Sequence, residues 1–169
     1  IARNGYFGAR MADIASRCGA EVHIVDYQWG SPIGPDISAL EAELKKHSSV
    51  KAIGLVHGET STGVISPLTH FAKVARDYDS ILIVDAVTSL GGHQLLVEEW
   101  GIDVCYSGTQ KCLGAPPGLS PITFSPRALK VVEQRKSPVR SFYFDIDHLR
   151  RYWIGSPRVY HHTVPISMI

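Results

Sequence analysis

What this chain lacks first is a charge excess of either sign. Among 169 residues, 17 Lys+Arg stand against 16 Asp+Glu, a formal net charge of +1. Nucleic acid and anionic membrane surfaces usually demand a basic excess, so neither is an expected partner. No apolar run approaches the roughly 18 residues needed to cross a bilayer. The opening residues Ile1-Ala2-Arg3-Asn4-Gly5 contain no apolar core of a signal peptide. Cysteine is scarce and unpatterned: Cys18, Cys105 and Cys112 include no CxxC pair. Free thiols in a reducing compartment are expected, rather than a zinc site or a disulfide framework. Neither GxGxxG nor GxxxxGK[ST] occurs, which excludes the dinucleotide and phosphate-loop fingerprints. Internal repeats and low-complexity tracts are also missing.

What is present is an alternation of two periodicities. Residues 6–18 place Phe7, Met11, Ile14 and Cys18 at helical steps, and Gly19 offers a stop. The chain is therefore expected to open inside a helix. A short strand follows at 21–26. Asp36 is a natural cap for a helix to about His47, with Ile37, Leu40 and Leu44 on one face. Further strands are predicted at 52–57, 80–85, 102–107 and 121–124, and helices at 67–78 and 126–136. Pro67 and Pro126 sit in first turns. The run Ile81-Leu82-Ile83-Val84 is almost continuously apolar, as in a parallel strand covered on both faces. The pattern predicts an α/β fold with a mainly parallel sheet and helices on both faces.

Ligands of open α/β sheets lie beyond the carboxyl ends of the strands. The segments there read His57-Gly58-Glu59-Thr60-Ser61-Thr62-Gly63, then Asp85 to Gly92, then Ser107-Gly108-Thr109-Gln110-Lys111. Asp85 follows the apolar run. It could cap a turn, pair with a surface cation, or anchor a cationic ring nitrogen in a dry site. Lys111 lies among apolar and turn-forming neighbours, where burial would favour its free amine. A carboxylate and an amine on successive strand exits are what pyridoxal 5'-phosphate chemistry needs: a Schiff-base partner for the aldehyde and a group that keeps the pyridine nitrogen protonated. His57 and Glu59 alone are too few for a metal site, and the neighbours His161 and His162 point different ways on any regular element; no metal is expected. Trp29, Trp100 and Trp153 read as core or interface residues.

Taken together, these segments resemble the alanine–glyoxylate/serine–pyruvate aminotransferase family, the class V branch of fold-type I pyridoxal phosphate enzymes. The matching pieces are 4–10, 57–63, 84–92, 106–111, 114–118 and 160–163, in family order over nearly the whole chain. The resemblance implies that Lys111 is the Schiff-base lysine and Asp85 the partner of the pyridine nitrogen. It implies that Phe7 stacks on the ring, where the family often has Trp, and that Val87 packs on the opposite face. Thr60 would lie near the phenolic oxygen and Gln110 near the phosphate. Tyr160 and Thr163 would reach the phosphate of a neighbouring subunit, implying a homodimer with shared sites.

The resemblance further implies that residues 1–169 are most of the large cofactor-binding domain, without the N-terminal arm and the C-terminal small domain. The implied activity moves an amino group from alanine or serine to a 2-oxo acid such as glyoxylate or pyruvate. Lys111 would carry the Cα proton as base and then acid. Alternatives are another class V enzyme (phosphonate aminotransferase, kynureninase-like or desulfurase-like) or an inactive fragment of one. Cys112, directly after the lysine, is badly placed for a desulfurase. The expected setting is intracellular and soluble, cytoplasmic or peroxisomal.

Overall fold

A computed structural model describes residues 1–159. The main sheet holds β3 (Ala52–Val56), β6 (Ile81–Asp85), β7 (Val104–Tyr106) and β8 (Ile122–Phe124), in that order. The first three run parallel and β8 antiparallel. Two small pairs complete the strands: parallel β1 (Ala2–Arg3) with β2 (Val25–Asp26), and antiparallel β4 (Gly58–Glu59) with β5 (Val64–Ile65). The helices are α1 (Tyr6–Arg17), α2 (Ser38–Leu44), α3 (Thr69–Asp77), α4 (Pro126–Glu133) and α5 (Ile146–Trp153).

The alternation of strand side chains sorts the two faces. Ile53 and Leu55 on β3 stand opposite Leu82 and Val84 on β6, and all four are buried with Phe71, Ala72, Val74 and Ala75 of α3. The other face must take α1, and Gly54 shows how close it comes. A methyl group there would meet the Met11 sulfur at 2.8 Å. Helices therefore cover both faces, and the intervening residues Val56 and Asp85 project on the α1 side. Asp103 fixes the far ends of the strands. Its Oδ2 accepts from Leu82 N–H at 2.9 Å, and its Oδ1 accepts from the Ser125 hydroxyl at 2.7 Å.

The sequence reading is corrected at several points. The chain opens in strand β1, not in a helix, because Ile1 and Arg3 carbonyls accept from Val25 and Tyr27. Helix α5 was not foreseen, although Asp145 caps it on the Asp147 and His148 amides. Trp29 and Trp153 are exposed, whereas Trp100 packs on the core. Asp36 is not the cap of α2: the N-cap position is Ile37, and Asp36, one residue earlier, accepts from the Ser38 amide at 3.0 Å. Gly19 adopts φ +92° after α1, the left-handed turn that glycine tolerates best.

Candidate active site

Parallel pairing brings the carboxyl ends of β3, β6 and β7 to one edge. The register is Val56 opposite Asp85 and Asp85 opposite Tyr106, a single row across three strands. Asp85 is buried. Its Oδ1 accepts the Val87 amide at 2.9 Å, an aspartate bonding its own backbone two residues on. Its Oδ2 accepts the Tyr106 hydroxyl at 2.9 Å. These bonds do not offset the loss of water. Burial raises the Asp85 pKa above the ordinary carboxylate range, and the Val87 and Tyr106 bonds and the Arg10 charge only partly oppose it. The carboxylate therefore has an unmet demand for a positive partner.

That partner would sit in a cavity of about 230 Å³ lined by Phe7, Arg10, Val56, Gly58, Thr60, Asp85, Val87, Thr88, Gln110 and Lys111. Six of the residues singled out from the sequence (Phe7, Thr60, Asp85, Val87, Gln110 and Lys111) thus share one space. Tyr160 and Thr163 lie outside the described residues. Arg10, one helical turn after Phe7, places its guanidinium 4.6 Å from the Phe7 ring centre. The Thr60 and Thr88 hydroxyls bond across the cavity mouth. Lys111 is exposed, not buried as its apolar flanks predict. Its loop is nonetheless fixed on both sides. The Ser107 hydroxyl donates to Ala86 O at 3.1 Å, the Thr109 hydroxyl to Pro116 O at 2.5 Å, and the Cys112 thiol to Thr88 O at 3.0 Å. Cys105, in contrast, is buried and pushed up to about 11, so it stays a thiol at neutral pH.

Glu59 is the residue that sequence reasoning undervalued. Helix α1 has no side-chain cap of its own and no acid in its first turn. Its first amides are satisfied from 51 to 55 residues away. Glu59 accepts from Phe7 N–H at 3.1 Å and Gly8 N–H at 3.1 Å, and the Ser61 hydroxyl accepts from Tyr6 N–H at 2.9 Å while donating to Glu59 at 2.6 Å. A buried carboxylate at a helix N-terminus meets free N–H groups and a favourable dipole. Residues 59 and 61 hold the helix, and Thr60 between them lines the cavity. Gly5 makes the approach possible, since any Cβ there would collide with the Glu59 side chain. Glu59→Ala should lower unfolding free energy by roughly 2–3 kcal/mol, from an orphaned helix end and a lost charged acceptor. Glu59→Gln, which keeps one acceptor oxygen, should lose less. Urea denaturation checks this, and equal midpoints for all three proteins would remove Glu59 from the role.

His57 is not among the residues lining the cavity. It is buried, its Nδ1 is 2.8 Å from the Ser89 hydroxyl, and burial lowers its pKa to about 4. It is a neutral group packed edge-on against His93 and Trp100.

An α/β sheet edge carrying a buried carboxylate short of a cation, an aromatic face and an amine across a small cavity defines a binding domain for a flat, protonated heterocycle with an electrophilic substituent. The residues present fit pyridoxal phosphate on those grounds. Comparison with known proteins agrees. The class-V aminotransferase family profile matches residues 5–168. Alanine–glyoxylate aminotransferase of Drosophila melanogaster is 40% identical over 168 residues, covering 98% of this chain and 42% of that protein. (S)-ureidoglycine–glyoxylate transaminase of Bacillus subtilis is 38% identical over 183 residues, covering 98% and 43%. The crystal structure of alanine–glyoxylate aminotransferase from Nostoc sp. superposes with a TM-score of 0.89 at 43% identity, covering 98% of this chain and 43% of that one. The chain belongs to the class-V aminotransferase family, whose members work with pyridoxal phosphate. It spans about two fifths of the length of the curated relatives it matches.

Proposed function

We propose that residues 1–169 form most of the cofactor domain of a pyridoxal phosphate-dependent aminotransferase that passes the amino group of alanine or serine to glyoxylate or pyruvate. One observation carries the reading: Asp85 and Lys111, from different strand exits, line the same cavity. The glyoxylate named in both curated relatives supports that acceptor. We place the protein inside the cell, in the cytoplasm or peroxisome, and propose a homodimer in which Tyr160 and Thr163 serve the partner's site.

When bound, the cofactor supplies an aldehyde for amine exchange and a ring that draws electron density from the substrate Cα. Lys111 Nζ is the group that would hold it covalently at rest. Once free, the same amine takes the Cα proton and later returns it. Asp85 would hold a proton on the ring nitrogen, a charge pair that also relieves its own desolvation. Phe7 and Val87 would bound the two ring faces, the Thr60 hydroxyl would meet the phenolic oxygen, and Gln110 would donate to the phosphate. The Thr60–Thr88 bond and the backbone-anchored 107–112 loop fix these groups before substrate arrives.

The test uses the full-length protein with added pyridoxal phosphate. A visible band should form, and it should bleach with alanine or serine and return with glyoxylate. (S)-ureidoglycine and aspartate complete the donor panel and separate the related reactions. Absence of any visible band would reject the cofactor; bleaching by neither alanine nor serine would reject the donors alone.

A further inference from the structure

A second group of ligating side chains converges away from the cavity lining. His23, in the extended stretch before β2, meets Glu43 of α2 and His47 just beyond that helix. One ligand atom from each lies within 4.8 Å of the other two. His47 Nε2 is 3.2 Å and His23 Nδ1 4.0 Å from the same Glu43 oxygen, Oε1. The two imidazoles are close but tilted, with ring centres 3.9 Å apart and planes 34° apart. The side chains of His23, Glu43 and His47 are 37%, 24% and 26% exposed, so an ion could enter.

His23 Nε2 is 3.3 Å from Glu21 Oε1. In the neutral tautomer protonated on Nε2, the Nδ1 lone pair would be turned toward the Glu43 oxygen 4.0 Å away, free to bind a cation placed between them. Donation of the second ring nitrogen to a carboxylate is also how metal-bound histidines are usually oriented. The remaining Glu43 oxygen, Oε2, is taken by Lys46 Nζ at 2.6 Å, which leaves Oε1 to the histidines.

We propose that His23 Nδ1, His47 Nε2 and Glu43 Oε1 form a zinc site, with water as the fourth ligand. Two imidazoles and one carboxylate suit zinc, and ligands held at about 2.0–2.2 Å from one ion need only small side-chain rotations from the observed spacing. The ion ties the lead-in to β2 onto the end of α2, a brace outside the amino-transfer site. The sequence conceals it, because only the Glu43/His47 spacing of one helical turn is local. His23 arrives from 20 residues upstream of Glu43.

The experiment is zinc titration of the chelator-treated full-length protein at neutral pH, followed by X-ray absorption at the zinc edge. One zinc per chain with a nitrogen/oxygen shell is expected. His23→Asn and His47→Ala should each weaken binding by about tenfold or more. Circular dichroism confirms that each surface variant is folded, and His47→Gln replaces any that is not. No binding, a sulfur-containing shell from Cys18 or Cys112, or unchanged affinity in either histidine variant would overturn the proposal.

Discussion

Lys111→Ala abolishes the visible absorbance of the cofactor-treated full-length protein and lowers turnover by at least about 10⁴-fold. The magnitude follows because one side chain serves two roles. Removing a positioned acid–base group alone forfeits about 10²–10⁴-fold, and removing the covalent attachment adds to it. Lys111→Arg separates charge from nucleophilicity. If the lysine acted only by attracting a phosphate, arginine would preserve most of the rate; as a nucleophile it has no such substitute. The loop should survive both changes, since Ser107, Thr109 and Cys112 hold it through backbone acceptors that the substitutions leave alone. An unchanged visible spectrum in Lys111→Ala would end the assignment.

Asp85→Asn is expected to fall by at least about 10²–10³-fold in rate, the range for deleting one aimed electrostatic group from a water-poor site. The amide is nearly the same size, so packing is kept. Its oxygen can still accept from Val87 or from Tyr106, while the negative charge that favours a ring N–H is gone. The two neighbours give an internal control. Tyr106→Phe removes a donor from Asp85 without touching its charge, and should cost the rate far less than the asparagine does. Equal losses would mean that Asp85 matters for the strand edge and not for a ligand. Stability separates the cases as well. Asp85 is buried with its pKa raised by desolvation, so the charged form burdens the folded chain, and Asp85→Asn should be no less stable than the parent in urea.

Much of this arrangement was readable before any coordinates. An unbroken apolar run ending in aspartate requires a covered parallel strand, and period-two alternation then sends Asp85 away from Val84 and Leu82. The segments that hold Thr60, Val87, Gln110 and Lys111 follow from looking beyond strand exits, and the family resemblance singles out Thr60, Val87 and Gln110 within them. What sequence could not give was any contact whose partner is main chain or far along the chain. Glu59 reads in sequence only as half of an insufficient metal-ligand pair, because its partners are amides at the start of α1. Tyr106 read as a strand residue because its tie to Asp85 depends on register. Arg10 was within reach, as the residue one turn after Phe7, yet helical spacing alone does not say which face meets a cavity. Lys111 was misjudged on exposure for a simpler reason: apolar neighbours in sequence do not bury a side chain that sits on a turn.

The trans-acting cap on α1 has a consequence for biosynthesis. A polypeptide leaving the ribosome amino end first cannot finish the opening turn of this helix until residue 59 has emerged, 51 positions after Gly8. The wall carrying Phe7 and the wall carrying Thr60 therefore mature in one event, and a nascent chain halted between them should show fast amide exchange at Tyr6, Phe7 and Gly8.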